Sequence, residues 1–177
     1  MKLKKKFVLL VLLILFASIF TGCVQQKLDL IIKENGKANL EFSVQVDESM
    51  AGDETKMHMW GVLNAFPELR DNYELIKDTK SIDYTNYLIY TFKNKKPIDI
   101  LENDSLNYKD GVFKMKIPKL IDDVSENSKD DLVYEIKITL PKEIDMANSK
   151  YTDGKTIIWK IYKEDLVSGM TLKAMTK

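Results

Sequence analysis

Two residues in this chain have side chains suited to nucleophilic or imidazole chemistry, and each occurs once: Cys23 and His58. Cysteine–histidine catalysis needs a free thiol in contact with an imidazole. A zinc centre needs three or four ligands, and one cysteine and one histidine cannot supply them. A Ser-His-Asp triad would have to take His58 as its base, and no serine sits in a nucleophile-elbow glycine pattern. There is no Walker loop and no G-x-G-x-x-G fingerprint. The 27 acidic residues offer carboxylate pairs almost anywhere, so pairs select nothing without geometry. Residue types alone point away from an enzyme, and no cofactor or metal is expected.

Cys23 has the more informative surroundings. Lys2, Lys4, Lys5 and Lys6 form a basic stub, residues 7–20 are apolar except Ser18, and Phe20-Thr21-Gly22-Cys23 follows. That is the layout of a secretory signal peptide with small residues beside the cut. It resembles the lipobox of bacterial lipoproteins, although Phe20 stands where Leu, Val or Ile is usual. The resemblance implies a diacylglyceryl thioether on Cys23 and removal of residues 1–22. The alternative is a retained helix. Fourteen apolar residues span about 21 Å at ~1.5 Å each, short of a hydrocarbon core of about 30 Å. Extension to Val24 brings the run to the lower edge of a span. In both cases residues 23–177 form a single exported domain on the outer face of the cell membrane, with the lysines held inside.

Charge narrows the partners. The chain has 27 basic and 27 acidic residues, and residues 1–22 hold four lysines and no acid, which leaves 23 against 27, a net of −4. That argues against nucleic acid and against electrostatic capture by anionic lipid. Blocking Cys23 leaves no thiol for a disulfide, so the domain must rest on its apolar core. Only Val24, Gln25 and Gln26 separate Cys23 from the first apolar alternation, so the domain is held against the membrane.

The elements that must do the positioning are mostly strands. Leu28, Leu30 and Ile32 alternate with polar residues, as do Leu40, Phe42, Val44 and Val46. A two-residue Asn35-Gly36 turn would put polar residues on the apolar face. A three-residue loop, with Gly36 in the left-handed position, pairs Leu30 with Leu40 and Leu28 with Phe42. One main helix is predicted over 53–66, capped by Asp53, stopped by Pro67, with Met57 and Trp60 on its apolar stripe and His58 within it. Further alternations follow around residues 73–80, 84–93, 112–117, 132–140, 156–162 and 170–174. Residues 119–131 are acidic but lack the alternating ligands and glycine of a calcium loop, and residues 164–169 read as a loop. The expected fold is α+β: a largely antiparallel sheet of about seven or eight strands with one main helix packed on it.

One strand is apolar on both faces: Leu88, Tyr90 and Phe92 on one, Tyr87 and Ile89 on the other. Such a strand is either central or lines a cleft. In the cleft reading Trp60, Tyr87, Leu88, Tyr90, Phe92 and Trp159 line a site for a lipid or other amphiphile. The alternative for each is ordinary core. A second reading makes the domain an anchored scaffold or sensor that docks an envelope protein through a sheet edge or exposed patch. An envelope hydrolase ranks below both.

Leu140-Pro141, Asn148, Asp153-Gly154, Trp159, Leu172 and Ala174, together with Cys23 and Asn35-Gly36, resemble the LppM-like bacterial lipoproteins. The resemblance covers about half of residues 23–177, mainly the two ends, and its motifs are structural. It implies a lipidated cysteine, one exported α/β domain, and envelope and lipid-related roles. It carries over no active-site residues.

Overall fold

The computed structural model describes residues 25–50, 72–99 and 106–177. The chain runs β1 (Gln25–Ile32), β2 (Lys37–Asp47), a 3-10 turn (Glu48–Met50), β3 (Tyr73–Ile82), β4 (Thr85–Asn94), β5 (Ile98–Asp99), β6 (Leu106–Lys109) and β7 (Val112–Ile117). It continues through β8 (Leu132–Thr139), β9 (Ile144–Ala147), β10 (Tyr151–Asp153), β11 (Thr156–Tyr162), α1 (Lys163–Ser168) and β12 (Met170–Thr176).

Strands β10-β11-β8-β1-β2-β4-β3 form one sheet, with β5 added beside β2. Strands β6-β7-β12-β9 form a second. The pairing is antiparallel except for β1 with β8, so the large sheet is mixed. β1 is its middle strand, with three on either side. The first hairpin has the register that alternation selects: Leu30 opposes Leu40, Leu28 opposes Phe42, and Gly36 sits at φ 74°.

Strands β11, β8, β1, β2 and β4 of the large sheet send one parity of side chains inward, whereas the edge strands β3 and β10 are largely exposed. One row across it reads Trp159, Ile136, Leu28, Phe42, Phe92, Leu75. The second sheet contributes Leu106, Phe113, Met115, Ile117, Leu172 and Ala174 to the same core. Phe113 stacks on Trp159 with ring centroids 6.0 Å apart. Hydrophobic burial between two sheets is the main cohesive term.

The α+β expectation is therefore wrong. The described chain is mostly strand in two sheets, and its one helix is the six-residue α1, in the segment expected to be a loop. Alternation along a strand shows which residues share a face. It does not show that β1 and β8 run parallel, or that the later strands divide between two sheets. The second sheet covers apolar surface that the sequence reading gave to a helix. The predicted helix at 53–66, with His58 and Trp60, lies outside the described residues, as does Cys23.

α1 is held by its first turn and by the acidic segment before β8. Asp165 accepts the Tyr162 N–H at 2.9 Å, and Leu166 is buried. The Leu166 carbonyl accepts the Leu120 N–H at 2.8 Å, which ties the 119–131 loop to the helix.

Candidate functional site

The large sheet has two unlike faces. On the outer face, directly opposed residues form ion pairs: Lys27 with Glu135 at 3.3 Å, Asp29 with Lys137 at 3.0 Å, and Glu41 with Lys93 at 2.9 Å. Glu41 holds the Lys93 ammonium above its ordinary range, first by hydrogen bonding and then by charge. Such exposed pairs add little stability. They do cancel the local field, and this face carries no strong charge of one sign.

The inner face is apolar, and one row across it is chemically distinct. It reads Ile161, Tyr134, Gln26, Val44, Tyr90, Lys77 from β11 to β3. Gln26 is only 4% exposed, and its Oε1 finds no hydrogen-bond partner among the described residues. A buried acceptor left unpaired costs about 1–3 kcal/mol. Beyond Gln26 the surface opens. Val44 and Leu88 are half-buried, and Leu75 is 43% exposed. Lys77 closes the row with its ammonium 5.7 Å from the centre of the Tyr90 ring. The combination is an apolar strip with one unpaired acceptor at its buried end and a cation at its rim. Few polar groups in an apolar setting are what orient an amphiphile.

The structure gathers only part of the expected cleft. Leu88, Tyr90 and Phe92 share the inner face and oppose Val46, Val44 and Phe42. Trp159 lies in the same row as Phe92, but four strand spacings of about 4.8 Å put it roughly 19 Å away. It is 3% exposed and part of the core. Tyr87 faces the opposite side, next to Lys80. Trp60 is outside the described residues. Gln26, Val44, Leu75 and Lys77 were not singled out from sequence. The available signal was phase, because Gln26 has the parity of Leu28, Leu30 and Ile32, which commits a polar side chain to the apolar face.

A pocket of ≈ 210 Å³ lies between the 119–131 loop and α1. Ile121, Val124, Val133 and Leu166 make its apolar lining. Its polar rim is already paired: Ser125 with Ser128 at 2.8 Å, and Lys163 with Asp131 at 2.8 Å. Ligand sites usually run to roughly 300–1,000 Å³, and this one is smaller. In the same loop Asp122 pairs with Lys119 and Glu126 with Lys129, so these acids turn to lysines. Among the described residues no three His, Cys, Asp or Glu side chains converge as metal ligands. No described helix is long and apolar enough to cross a membrane.

No family model matches the chain, and no curated protein matches it. Among solved structures, the chain is similar to the folded domain of Mycobacterium tuberculosis LppM, determined by NMR. The TM-score is 0.48 and the identity 11%, over 88% of this chain and 90% of that one.

Proposed function

We propose that this chain is a membrane-anchored lipoprotein of the cell envelope that binds a lipid or other amphiphile close to the membrane surface, without catalysing a reaction on it. The observation that carries the reading is the Gln26 acceptor. It is buried and unpaired on an apolar face, three residues after the cysteine that resembles a lipidation site. An amphiphile with a hydroxyl near its headgroup satisfies Gln26 Oε1, while its chain covers Val44, Leu88 and Leu75. Two acyl chains on Cys23 hold the domain stably, at about 0.8 kcal/mol per buried CH₂.

The test is native mass spectrometry of the full chain extracted in mild detergent. A diacylglyceryl mass on Cys23 and a retained amphiphile are expected. Gln26→Leu should lose the amphiphile and keep the fold. Cys23→Ser should lose palmitate incorporation and membrane retention. Persistent labelling of Cys23→Ser overturns the anchor, and an unliganded wild type overturns the ligand.

One observation favours the docking alternative. Among the described residues β3 has β4 as its only neighbour, and eight consecutive residues from Glu74 to Ser81 are exposed. Lys77, Asp78 and Lys80 interrupt that edge, as charges do where uncontrolled strand pairing is avoided. A partner that adds a strand there would have to match these charges.

A further inference from the structure

The β3–β4 hairpin extends well beyond the start of β1, at the same end of the sheet. Gln25 is level with Gln45, which is level with Ile89. The ladder of β3 with β4 continues four residues further, to Ile82 opposite Thr85, before the Asp83-Tyr84 turn. Four residues cover about 13 Å at ~3.3 Å each. Cys23 precedes Gln25 by two residues, so it lies at most about 7 Å from it by any path. The hairpin tip is only two strands away from β1, at β4. With Cys23 carrying acyl chains, the turn falls at or below the level of the anchor.

The residue at the tip fits no local need. Asp83 and Tyr84 have φ of 47° and 66°, a two-residue turn with both residues in left-handed conformation. Such turns favour Asn and Gly. Tyr84 is instead a bulky side chain held where side chains are disfavoured, and at 107% relative exposure it packs on nothing. Neither turn geometry nor the core accounts for it. Tyrosine is suited to the membrane–water interface, where its ring sits among acyl carbonyls and its hydroxyl stays wet. Lys80 and Asp83 beside it cancel in charge. The acidic 119–131 loop leads into β8 at this same end. Attraction to anionic lipid therefore does not drive contact.

We infer that Tyr84 is a second membrane contact, inserting the β3–β4 turn into the interface of the bilayer that holds Cys23. The inference rests on the anchored reading. With two points of attachment the domain has a fixed tilt, and β3 and the strip ending at Leu75 and Lys77 lie on the side of the sheet that the tip draws toward the lipid.

The experiment uses the full lipidated chain in phosphatidylcholine vesicles, with a nitroxide on Ser81→Cys near the tip or on Lys33→Cys at the far end of β1. Labels are counted first. One label per chain shows that Cys23 is blocked. Two labels show that Cys23 is free, which removes the anchor and this inference together. With one label, oxygen should relax the Ser81 site more than a water-soluble nickel chelate does, and the order should reverse at Lys33. Adding Tyr84→Gly, which suits the turn, should return the Ser81 site to water, and adding phosphatidylglycerol should not deepen it. If the Ser81 site is as wet as Lys33 on an anchored protein, the inference fails and the anchor stands. A tip that is wet in vesicles but immobilised in native membranes assigns it to a protein partner, and the inference is likewise overturned.

Discussion

Asn148 Oδ1 accepts the Trp159 indole N–H at 3.1 Å. The same oxygen accepts the Lys173 backbone N–H at 2.7 Å, while Asn148 Nδ2 donates to the Thr171 carbonyl at 2.7 Å. Trp159 belongs to the large sheet and residues 171 and 173 to the small one. One amide therefore fixes the spacing of the two layers. Asn148→Ala should cost about 1–2 kcal/mol, since the Lys173 N–H and the Thr171 carbonyl lose their partner and the buried indole N–H keeps only the Asn148 backbone carbonyl at 3.3 Å. In a Trp159→Phe background the same change should cost about 1 kcal/mol less, a coupling that denaturant midpoints of the four proteins would show.

Gly169 ends α1 at φ 69°. A Cβ there would meet the Lys119 nitrogen at 2.8 Å and the Ile117 carbonyl oxygen at 2.9 Å, both backbone atoms that cannot swing aside. Gly169→Ala should destabilise by more than about 2 kcal/mol, combining left-handed strain with the clash. The 119–131 loop should exchange its amide protons faster than the sheets do, measured by hydrogen exchange.

Tyr84→Gly should act in the opposite direction. Relief of a left-handed side chain, less the flexibility glycine adds to the unfolded chain, leaves a gain of about 0.5–1 kcal/mol. The denaturant midpoint should rise with an unchanged slope.

Gln26→Leu exchanges an unpaired buried amide for an apolar group of similar size. The free protein should gain about 1–2 kcal/mol. On the proposed function, the gain should shrink or reverse when an amphiphile is added, because only the wild type gains from a donor.

Asp47 titrates below the ordinary aspartate range because it accepts the Ser49 hydroxyl and then the Ser49 backbone N–H, at 2.6 and 2.8 Å. A carboxyl whose pKa is lowered on folding stabilises the fold at pH values above the unfolded pKa. That contribution is lost as pH falls through the folded value. The 3-10 turn after β2 should therefore be insensitive to pH near neutrality and loosen only in acid. Ser49→Ala should move the Asp47 titration upward, read from its carboxyl carbon shift by NMR.

Local rules were readable in the sequence, and assembly was not. The β1–β2 register followed from the parity of Leu28, Leu30, Leu40 and Phe42, because a one-residue slip would have exposed all four. Phe113, Met115, Ile157, Trp159, Leu172 and Ala174 likewise fell on buried faces. That β8 joins β1, rather than the later strands alone, depends on contacts between residues more than a hundred positions apart, such as Leu28 beside Ile136. No local period encodes that. α1 escaped notice because Leu166 is its only buried side chain, too few for a helical stripe. Of the candidate site, the aromatic strand was legible by its excess of apolar residues. Gln26 could be placed on the apolar face by its phase, but its unpaired state could not be read, since that depends on how the neighbouring strands close over it.

On the anchored reading proposed above, the tether would enter the fold through β1, the middle strand of the large sheet. A tug on such an anchor would pull β1 lengthwise between β8 and β2, loading the hydrogen bonds on both flanks together and in shear. An edge strand under the same load would peel away bond by bond. Load from that anchor would be spread across the broadest part of the sheet, and a domain so held should stay folded under forces that would unravel one hung from its rim.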